Sequence, residues 1–314
     1  MKLLNELTLD DFACSFGVGS EGFSQKVRAL IEQTDFSYQT LTPEERNQTI
    51  LDVLKKLDAN AFSKVGKERK DIWSQAWSEY LEDFLSSNYS LDVLNPKFFK
   101  PDQVIRLNSE FVKPHNPRFE LDFFQVFRLW LFEQYLESAE NVFEFGCGSA
   151  FNLVALAQLY PDKMLYGLDW APASVQLVNK IAEVYDFKMK GNPFDFFNPD
   201  RTLNLGQKSA VITMCALEQI GQNYQEFIHF LLEKSPSICI NMEPLCELYD
   251  ENNLIDYLAI RYHKQRAYLA NYLSFLRELE ADRKIAIQTV KRLRFGSLYS
   301  ECYSFIVWEP LNVV

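Results

Sequence analysis

No stretch of the sequence offers the roughly 18 consecutive apolar residues a bilayer-spanning helix needs, so no membrane association is expected. The opening Met1-Lys2-Leu3-Leu4-Asn5-Glu6 breaks into charge before an apolar signal region can form. Paired cysteine spacing is also missing. Of Cys14, Cys147, Cys215, Cys239, Cys246 and Cys302, three sit in apolar, strand-like runs where a buried thiol is the usual state, which points to a reducing, cytoplasmic compartment. No run of Lys or Arg offsets the acidic excess: 32 basic against 43 acidic side chains leave a net charge of −11, which disfavours a nucleic-acid partner. Histidine occurs only three times, and no H-x-x-x-H or C-x-x-C spacing supports a metal site. No internal repeat or low-complexity segment is present, and nothing in the sequence sets an oligomeric state.

What is present is a chain of 314 residues, long enough for two domains, or for one large domain with an extension. Apolar residues make up 47% and charged residues 24%, the mix of a chain that buries a core. With 26 Phe and 15 Tyr, much of that core is expected to be ring packing. Residues 1–118 read as a helical region. Thr42-Pro43-Glu44-Glu45 is a capping box with Pro at the first helical position, followed by Ile50, Val53, Leu54 and Leu57 at helical spacing. A second helix runs through Trp73, Trp77, Tyr80, Leu81 and Phe84. Four prolines between 91 and 118 break regular structure and mark a connection suited to a lid.

From residue 119 an apolar helix carries Phe123, Phe127, Trp130 and Leu131, and beyond Asn141 short apolar runs alternate with helical patterns. Strand, helix, strand, helix is the signature of a parallel sheet with right-handed crossovers, so residues 119–314 read as one α/β domain. Two strand-like runs, Ile285–Arg294 and Ser300–Trp308, close the chain as an antiparallel hairpin across Phe295–Leu298.

Two glycine-rich stretches compete for a nucleotide site. Gly17-Val18-Gly19-Ser20-Glu21-Gly22 is a literal G-x-G-x-x-G, but it follows a poor strand and opens no βαβ unit, so it reads as a turn ahead of a helix at Ser24. The second, Val142-Phe143-Glu144-Phe145-Gly146-Cys147-Gly148-Ser149-Ala150-Phe151, runs from an apolar strand through a glycine turn into a helix. Gly146 and Gly148 leave room for a ligand to approach the backbone. Phe151 stands where a dinucleotide fingerprint would place its third glycine, and Glu144 suits an ammonium group better than a pyrophosphate. A second strand, Leu165–Asp169, ends in an acid beside Trp170. At that strand end Asp169 can accept from a ribose diol or cap the helix opening at Ala171-Pro172, and its pairing with the glycine turn favours the ribose.

On these residues the sequence resembles the class I (Rossmann-like) S-adenosylmethionine-dependent methyltransferases over about residues 120–310. Their acid-x-Gly-x-Gly motif is matched by Glu144-Phe145-Gly146-Cys147-Gly148, and their ribose acid by Asp169. The resemblance implies a mostly parallel seven-stranded sheet, helices on both faces and the closing hairpin. It also implies S-adenosylmethionine as cofactor, with Glu144, Gly146, Cys147 and Gly148 at its methionine end. Asn192 or Asp195 then lies near the adenine amine and Phe194 or Phe196 against the ring, while Val211–Gln219, including Cys215, lines the methyl-donor end.

The expected activity is methyl transfer to a small-molecule acceptor, at oxygen of a sugar or other polar metabolite. Methylation of a protein side chain, and cofactor binding without turnover, are the rival readings. A nicotinamide-dependent oxidoreductase is a third, opposed by Phe151 and Glu144. The acceptor is expected between the N-terminal cover and residues 243–266, with Glu218 or His263 as base. A divalent ion, used by some sugar and catechol methyltransferases, stays open.

Overall fold

A computed structural model describes residues 4–311; the charged opening at residues 1–3 and the last three residues, 312–314, lie outside the described part. No described helix is long and apolar enough to cross a membrane. The N-terminal region carries β1 (Leu4–Glu6), α1 (Leu9–Phe16), α2 (Gln25–Glu32), β2 (Ser37–Thr40), α3 (Pro43–Asp58), α4 (Lys70–Ser86), β3 (Ile105–Leu107) and β4 (Glu110–Pro114). Thr42 and Glu45 cap α3 reciprocally with Pro43 at its first position, as the sequence indicates. Gly17 ends α1 in the left-handed region at φ 79° and Ser24 caps α2, so the first glycine stretch is a helix-to-helix turn.

After these come α5 (Phe119–Tyr135), β5 (Asn141–Phe145), α6 (Phe151–Leu159), β6 (Met164–Asp169), α7 (Pro172–Tyr185), β7 (Met189–Pro193) and β8 (Ser209–Met214). The chain continues with α8 (Gln225–Lys234), β9 (Ile238–Met242), α9 (Leu254–Arg266), α10 (Tyr272–Ala281), β10 (Ile285–Lys291), β11 (Phe295–Gly296) and β12 (Phe305–Pro310). Seven strands form one sheet in the order β10-β12-β9-β8-β5-β6-β7. Strands β5 to β9 pair in parallel, while β12 runs antiparallel to both β9 and β10. The chain winds outward from β5 to β7 and then returns to lay β8 on the other side of β5. That reversal opens a crevice at the carboxyl ends of these strands.

Side chains alternate between two faces. Val142, Ala210 and Ile212 face one core with Leu153 of α6 and Leu177 of α7. Phe143, Phe145 and Val211 face the other, with Phe227 of α8 and Tyr272 of α10. Helices thus cover both faces of a mostly parallel seven-stranded sheet that ends in an antiparallel pair, the α/β architecture expected.

Two features differ from the expectation. The first 118 residues are not purely helical: β1 to β4 join β11 in a second, antiparallel sheet of order β1-β2-β4-β3-β11. Strands of three to five residues are too short to register a two-residue period, which is why the sequence reads there as connection. The closing pair is not a tight hairpin, because residues 292–304 leave the main sheet and lend β11 to the small one. Between β9 and β10 the chain forms two helices, α9 and α10, parted at Ala267, which lies in the left-handed region at φ 52°.

Phe295 of β11 fastens the two sheets together. Its ring stacks on Phe123 of α5 at 3.7 Å and 17°, and it is fully buried. Phe12 and Phe16 of α1 pack on the same helix, at 5.1 Å from Phe123 and 5.3 Å from Phe127, so the N-terminal region shares its core with the sheet domain. Phe295→Ala is expected to cost about 3–5 kcal/mol, the usual range for a buried Phe. Urea unfolding reads this as a lower midpoint at unchanged slope. A loss below about 1 kcal/mol would mean the two sheets are held independently of this ring.

Candidate active site

A cleft of about 500 Å³ opens at the carboxyl ends of β5, β6, β8 and β9. Its floor is the turn after β5. Gly146 and Gly148 have φ of +75° and +50°; a Cβ on Gly146 would stand 2.5 Å from Ala216 Cβ, and one on Gly148 2.7 Å from the Trp77 ring. Both positions therefore exclude a side chain by conformation and by space. Asp169 holds this turn: its Oδ2 accepts from Gly148 N at 3.0 Å and its Oδ1 from Ala171 N at 2.9 Å. The acid is thus a brace for the glycine turn and a cap for α7 as well as a cleft-lining residue.

Glu144 lies under the turn, 1% exposed. Oε1 accepts from Asn152 Nδ2 at 2.7 Å, and Asn152 Oδ1 in turn accepts from Arg128 Nη1 at 3.1 Å. Oε2 is buried at the cleft without a partner. Burial pushes the Glu144 carboxyl up to about 8, against the pull of Asn152 and Arg128. Phe151, where a third glycine would fall, carries the Arg128 guanidinium 4.0 Å from its ring centroid. The departure from the dinucleotide pattern therefore has a structural job.

Glu218 lines the opposite part of the cleft, in the 3-10 turn Leu217–Ile220 after β8. Gln219 Nε2 donates to its Oε1 at 2.6 Å, and its Oε2 is buried without a partner. Burial, then the neighbouring Glu243, push Glu218 up to about 8, while Arg266 and Arg69 act to lower it. Glu243, fully buried at the end of β9, accepts the backbone N–H groups of Ala216, Leu217 and Glu218 at 3.0–3.1 Å. Cys147, Trp170, Phe196 and Cys215 line the cleft as well.

Three expected residues do not reach it. His263 is 3% exposed and lies behind the wall among Tyr249, Tyr262 and Tyr268; its Nε2 is 2.6 Å from Ser300 Oγ. Burial and the Arg106 charge lower it to about 3, so it is neither placed nor basic enough to take a proton. Asp195 turns away to Lys70 Nζ of α4 at 2.7 Å and to Phe197 N at 3.0 Å. Asn192 stays within β7, paired with Leu168, and is not a cleft residue.

Several cleft residues escape a sequence reading. α4 brings Trp73 and Trp77, stacked at 5.4 Å, over the strand ends, and Arg69 stands at its N-cap position. Pro96 and Phe99 of the proline-rich connection line the cleft, as does Phe98, 59% exposed. Glu120 of α5 accepts from Tyr303 OH at 3.1 Å, and burial pushes it up to about 7. The one sequence signal for Glu120 is an acid set among Phe119, Leu121, Phe123 and Phe124. Tyr268, Tyr299 and Cys302 enter only through tertiary contacts.

No protein-family model and no curated protein matches this sequence. Solved structures do match its backbone. The cyclase SpnF superposes with a TM-score of 0.48 at 10% identity, over 73% of this chain and 76% of that one. The small RNA methyltransferase HEN1 gives 0.45 at 16% identity, over 60% of this chain and 25% of that one. The O-methyltransferase NcsB1 of neocarzinostatin biosynthesis, in complex with S-adenosylmethionine and 2-hydroxy-5-methyl naphthoic acid, gives 0.41 at 16% identity over 62% of this chain. This match spans 58% of the length of that O-methyltransferase. The strand order itself defines the class: the chain has the class I methyltransferase fold.

Buried carboxyls make the stability of the ligand-free protein pH-dependent. Glu144 and Glu218, raised to about 8, and Glu120 and Glu243, raised to about 7, keep protons in the folded chain that the unfolded chain releases near 4.5. Folding therefore takes up protons between about pH 4.5 and 8, and the unfolding free energy falls as pH rises through that window. Below about 6.5 His263 works in the opposite direction, because the unfolded imidazole binds a proton that the folded one does not. The melting temperature should thus fall most cleanly from pH 6.5 to 8.5. A flat or rising profile there would mean these carboxyls are ionised when folded.

Proposed function

We propose that this cleft binds S-adenosylmethionine and that the protein transfers its methyl group to a hydroxyl of a small molecule. The observation that carries the reading is Glu144 Oε2, a buried acceptor without a partner beside a glycine turn that admits no side chain. An amino-acid ammonium supplies the missing donor and returns the carboxyl to its charged form. Asp169, which lines the cleft, presents its carboxyl to a ribose diol, and Trp170 and Phe196 supply aromatic surface for a purine. Asp195 and Asn192 take no part in this arrangement. When bound, the cofactor supplies an electrophilic methyl carbon on a sulfonium.

The chain's own contribution is placement and proton handling. Trp73, Trp77 and Phe99 close over the strand ends and limit water, and orientation within such a cleft accounts for much of the acceleration. Glu218 is the remaining candidate base for the acceptor hydroxyl, through its unpartnered Oε2. The cover, with Pro96, Phe99 and the Trp73–Trp77 pair lining the cleft, favours a small molecule over a protein side chain.

Two experiments test this. Calorimetric titration should detect S-adenosylmethionine and its demethylated product but not NAD. Glu144→Gln keeps the acceptor for Asn152 and discards the charge. It should weaken S-adenosylmethionine about tenfold or more, the worth of a charge-assisted hydrogen bond, without lowering apo stability at pH 8. Binding of NAD alone, or unchanged affinity in Glu144→Gln, contradicts the cofactor assignment.

The second concerns Glu218. With radiolabelled S-adenosylmethionine and a hydroxyl acceptor drawn from a small-molecule extract, turnover should rise with pH to a plateau above about 8, where Glu218 ionises. Glu243, Arg69 and Arg266 act on that ionisation, so the midpoint belongs to the group. Glu218→Gln should remove the rise and lower turnover by roughly 10²–10⁴-fold at unchanged cofactor affinity. Turnover equal to wild type would leave orientation as the whole of catalysis; labelled cofactor bound without any product would leave a binding protein.

A further inference from the structure

The wall of the cleft beside Glu218 carries two arginines with nothing to hold. The segment after α3 is stitched to the end of α9 and to the turn after β8: Val65 N donates to Arg266 O at 2.9 Å and Gly66 N to Gln219 O at 3.1 Å. That stitching brings the Arg69 and Arg266 guanidiniums to one part of the cleft lining, with Glu218 and Tyr268. Arg69 Nε and Nη1 and Arg266 Nε are buried without a hydrogen-bond partner, and neither residue forms an ion pair among those found between described residues. Arg69 rests 5.5 Å from the Trp73 ring centroid and Arg266 4.9 Å from that of Tyr268. The one further contact of Arg266 is a 3.4 Å approach of Nη1 to Ser63 Oγ.

Two neighbouring guanidiniums whose buried N–H groups are unmet are costly unless a ligand meets them. The nearest acid does not: Glu218 holds its proton at neutral pH, so it leaves the positive charge standing. Burial and the adjacent Arg266 both pull Arg69 below the ordinary arginine value, the mark of like charges held together. Around them stand Phe62, Trp73, Tyr262 and Tyr299, which present ring faces and edges.

We propose that Arg69 and Arg266 form an anion clamp for the carboxylate of the methyl acceptor, and that the acceptor is a planar, aromatic hydroxy acid. This deepens the methyl-transfer reading above and rests on it. A carboxylate fits better than a phosphate, whose roughly two negative charges would oppose the ionisation that Glu218 needs to act as a base. The cofactor has a carboxylate too, but on the carbon that bears its ammonium, which ties that group to the Glu144 side. Glu144 is not among the groups acting on Arg69, whereas Glu218 is. Clamping the carboxylate on this wall leaves the hydroxyl of such an acid free to meet Glu218, on the same wall.

Calorimetry on the full chain separates the outcomes, using 4-hydroxybenzoate and its neutral counterpart 4-hydroxybenzyl alcohol as probes, with and without saturating S-adenosylhomocysteine. Wild type should bind the acid about tenfold more tightly than the alcohol. The Arg69→Gln/Arg266→Gln double variant should bring that ratio near one while S-adenosylhomocysteine binds as before. Equal affinities in wild type, or no binding of the acid, overturn the clamp. Loss of S-adenosylhomocysteine in the variant also overturns it, by assigning the arginines to the cofactor's carboxylate. The backbone links of residues 65, 66 and 266 survive both substitutions, and a wild-type melting curve verifies folding. If wild type fails to bind S-adenosylhomocysteine at all, the methyltransferase reading falls. The acid-to-alcohol ratio in ligand-free protein then still decides the clamp.

Discussion

The carboxyl edge of the main sheet depends on acids that reach from one strand end to the loop of the next. Asp169, closing β6, accepts from Gly148 in the turn after β5. Glu243, just beyond β9, accepts three successive N–H groups in the turn after β8. Each replaces backbone donors' water with a buried carboxyl, and each is raised by that burial, to about 6 and about 7. Without these braces the turns would leave several backbone donors unmet in a dry crevice, a cost of about 1–3 kcal/mol apiece. The loops that shape the cleft are therefore fixed before any ligand arrives. Cys215, in the left-handed region at φ 54°, shows the local strain such bracing can sustain.

The cover is fixed by a different force. Trp77 stands over Gly148, so α4 touches the glycine turn directly, and α4 packs along α7 as well. Phe295 stacking on Phe123 draws β11, and with it the small sheet, onto α5. The region that covers the site is thus continuous with the core of the region that forms its floor. A close-packed junction of this kind resists opening as a rigid flap. The exposed Phe98 and its neighbours in the proline-rich connection are the part of the cover least held by packing.

This division explains what could be read from the sequence. The parallel strands were legible because Val142, Phe143, Phe145, Ala210, Val211 and Ile212 are apolar on both faces, and the glycine turn because its two conformations have few alternatives. The small sheet was hidden: β3 has three residues, β11 two, and β11 gains its identity only by pairing with β3, far back along the chain. Asp195 and His263 misled for one shared reason. A carboxylate or an imidazole reads as available chemistry, but its availability is decided by partners the sequence does not mark. Lys70 lies 125 positions from Asp195, and Ser300 lies 37 from His263. Glu144 and Glu218 differ from them in that the residues that bury them leave one oxygen of each without a donor.

Charge is distributed through the cleft in a consistent pattern. Glu144 and Asp169 gather at the glycine turn, and Arg69 and Arg266 near Glu218 in the turn after β8. With Glu144 and Glu218 raised to about 8 by burial, the ligand-free cleft carries less negative charge than its number of acids implies, within a chain of net charge −11. Ionising Glu144 in that setting needs a cation beside it, and satisfying the guanidiniums needs an anion beside them. On the proposed reading these demands fall on two ligands, an ammonium-bearing cofactor and a carboxylate-bearing acceptor, each neutralising the wall the other does not touch. The aromatic cover raises the worth of both sets of contacts by keeping water from competing for the same donors and acceptors.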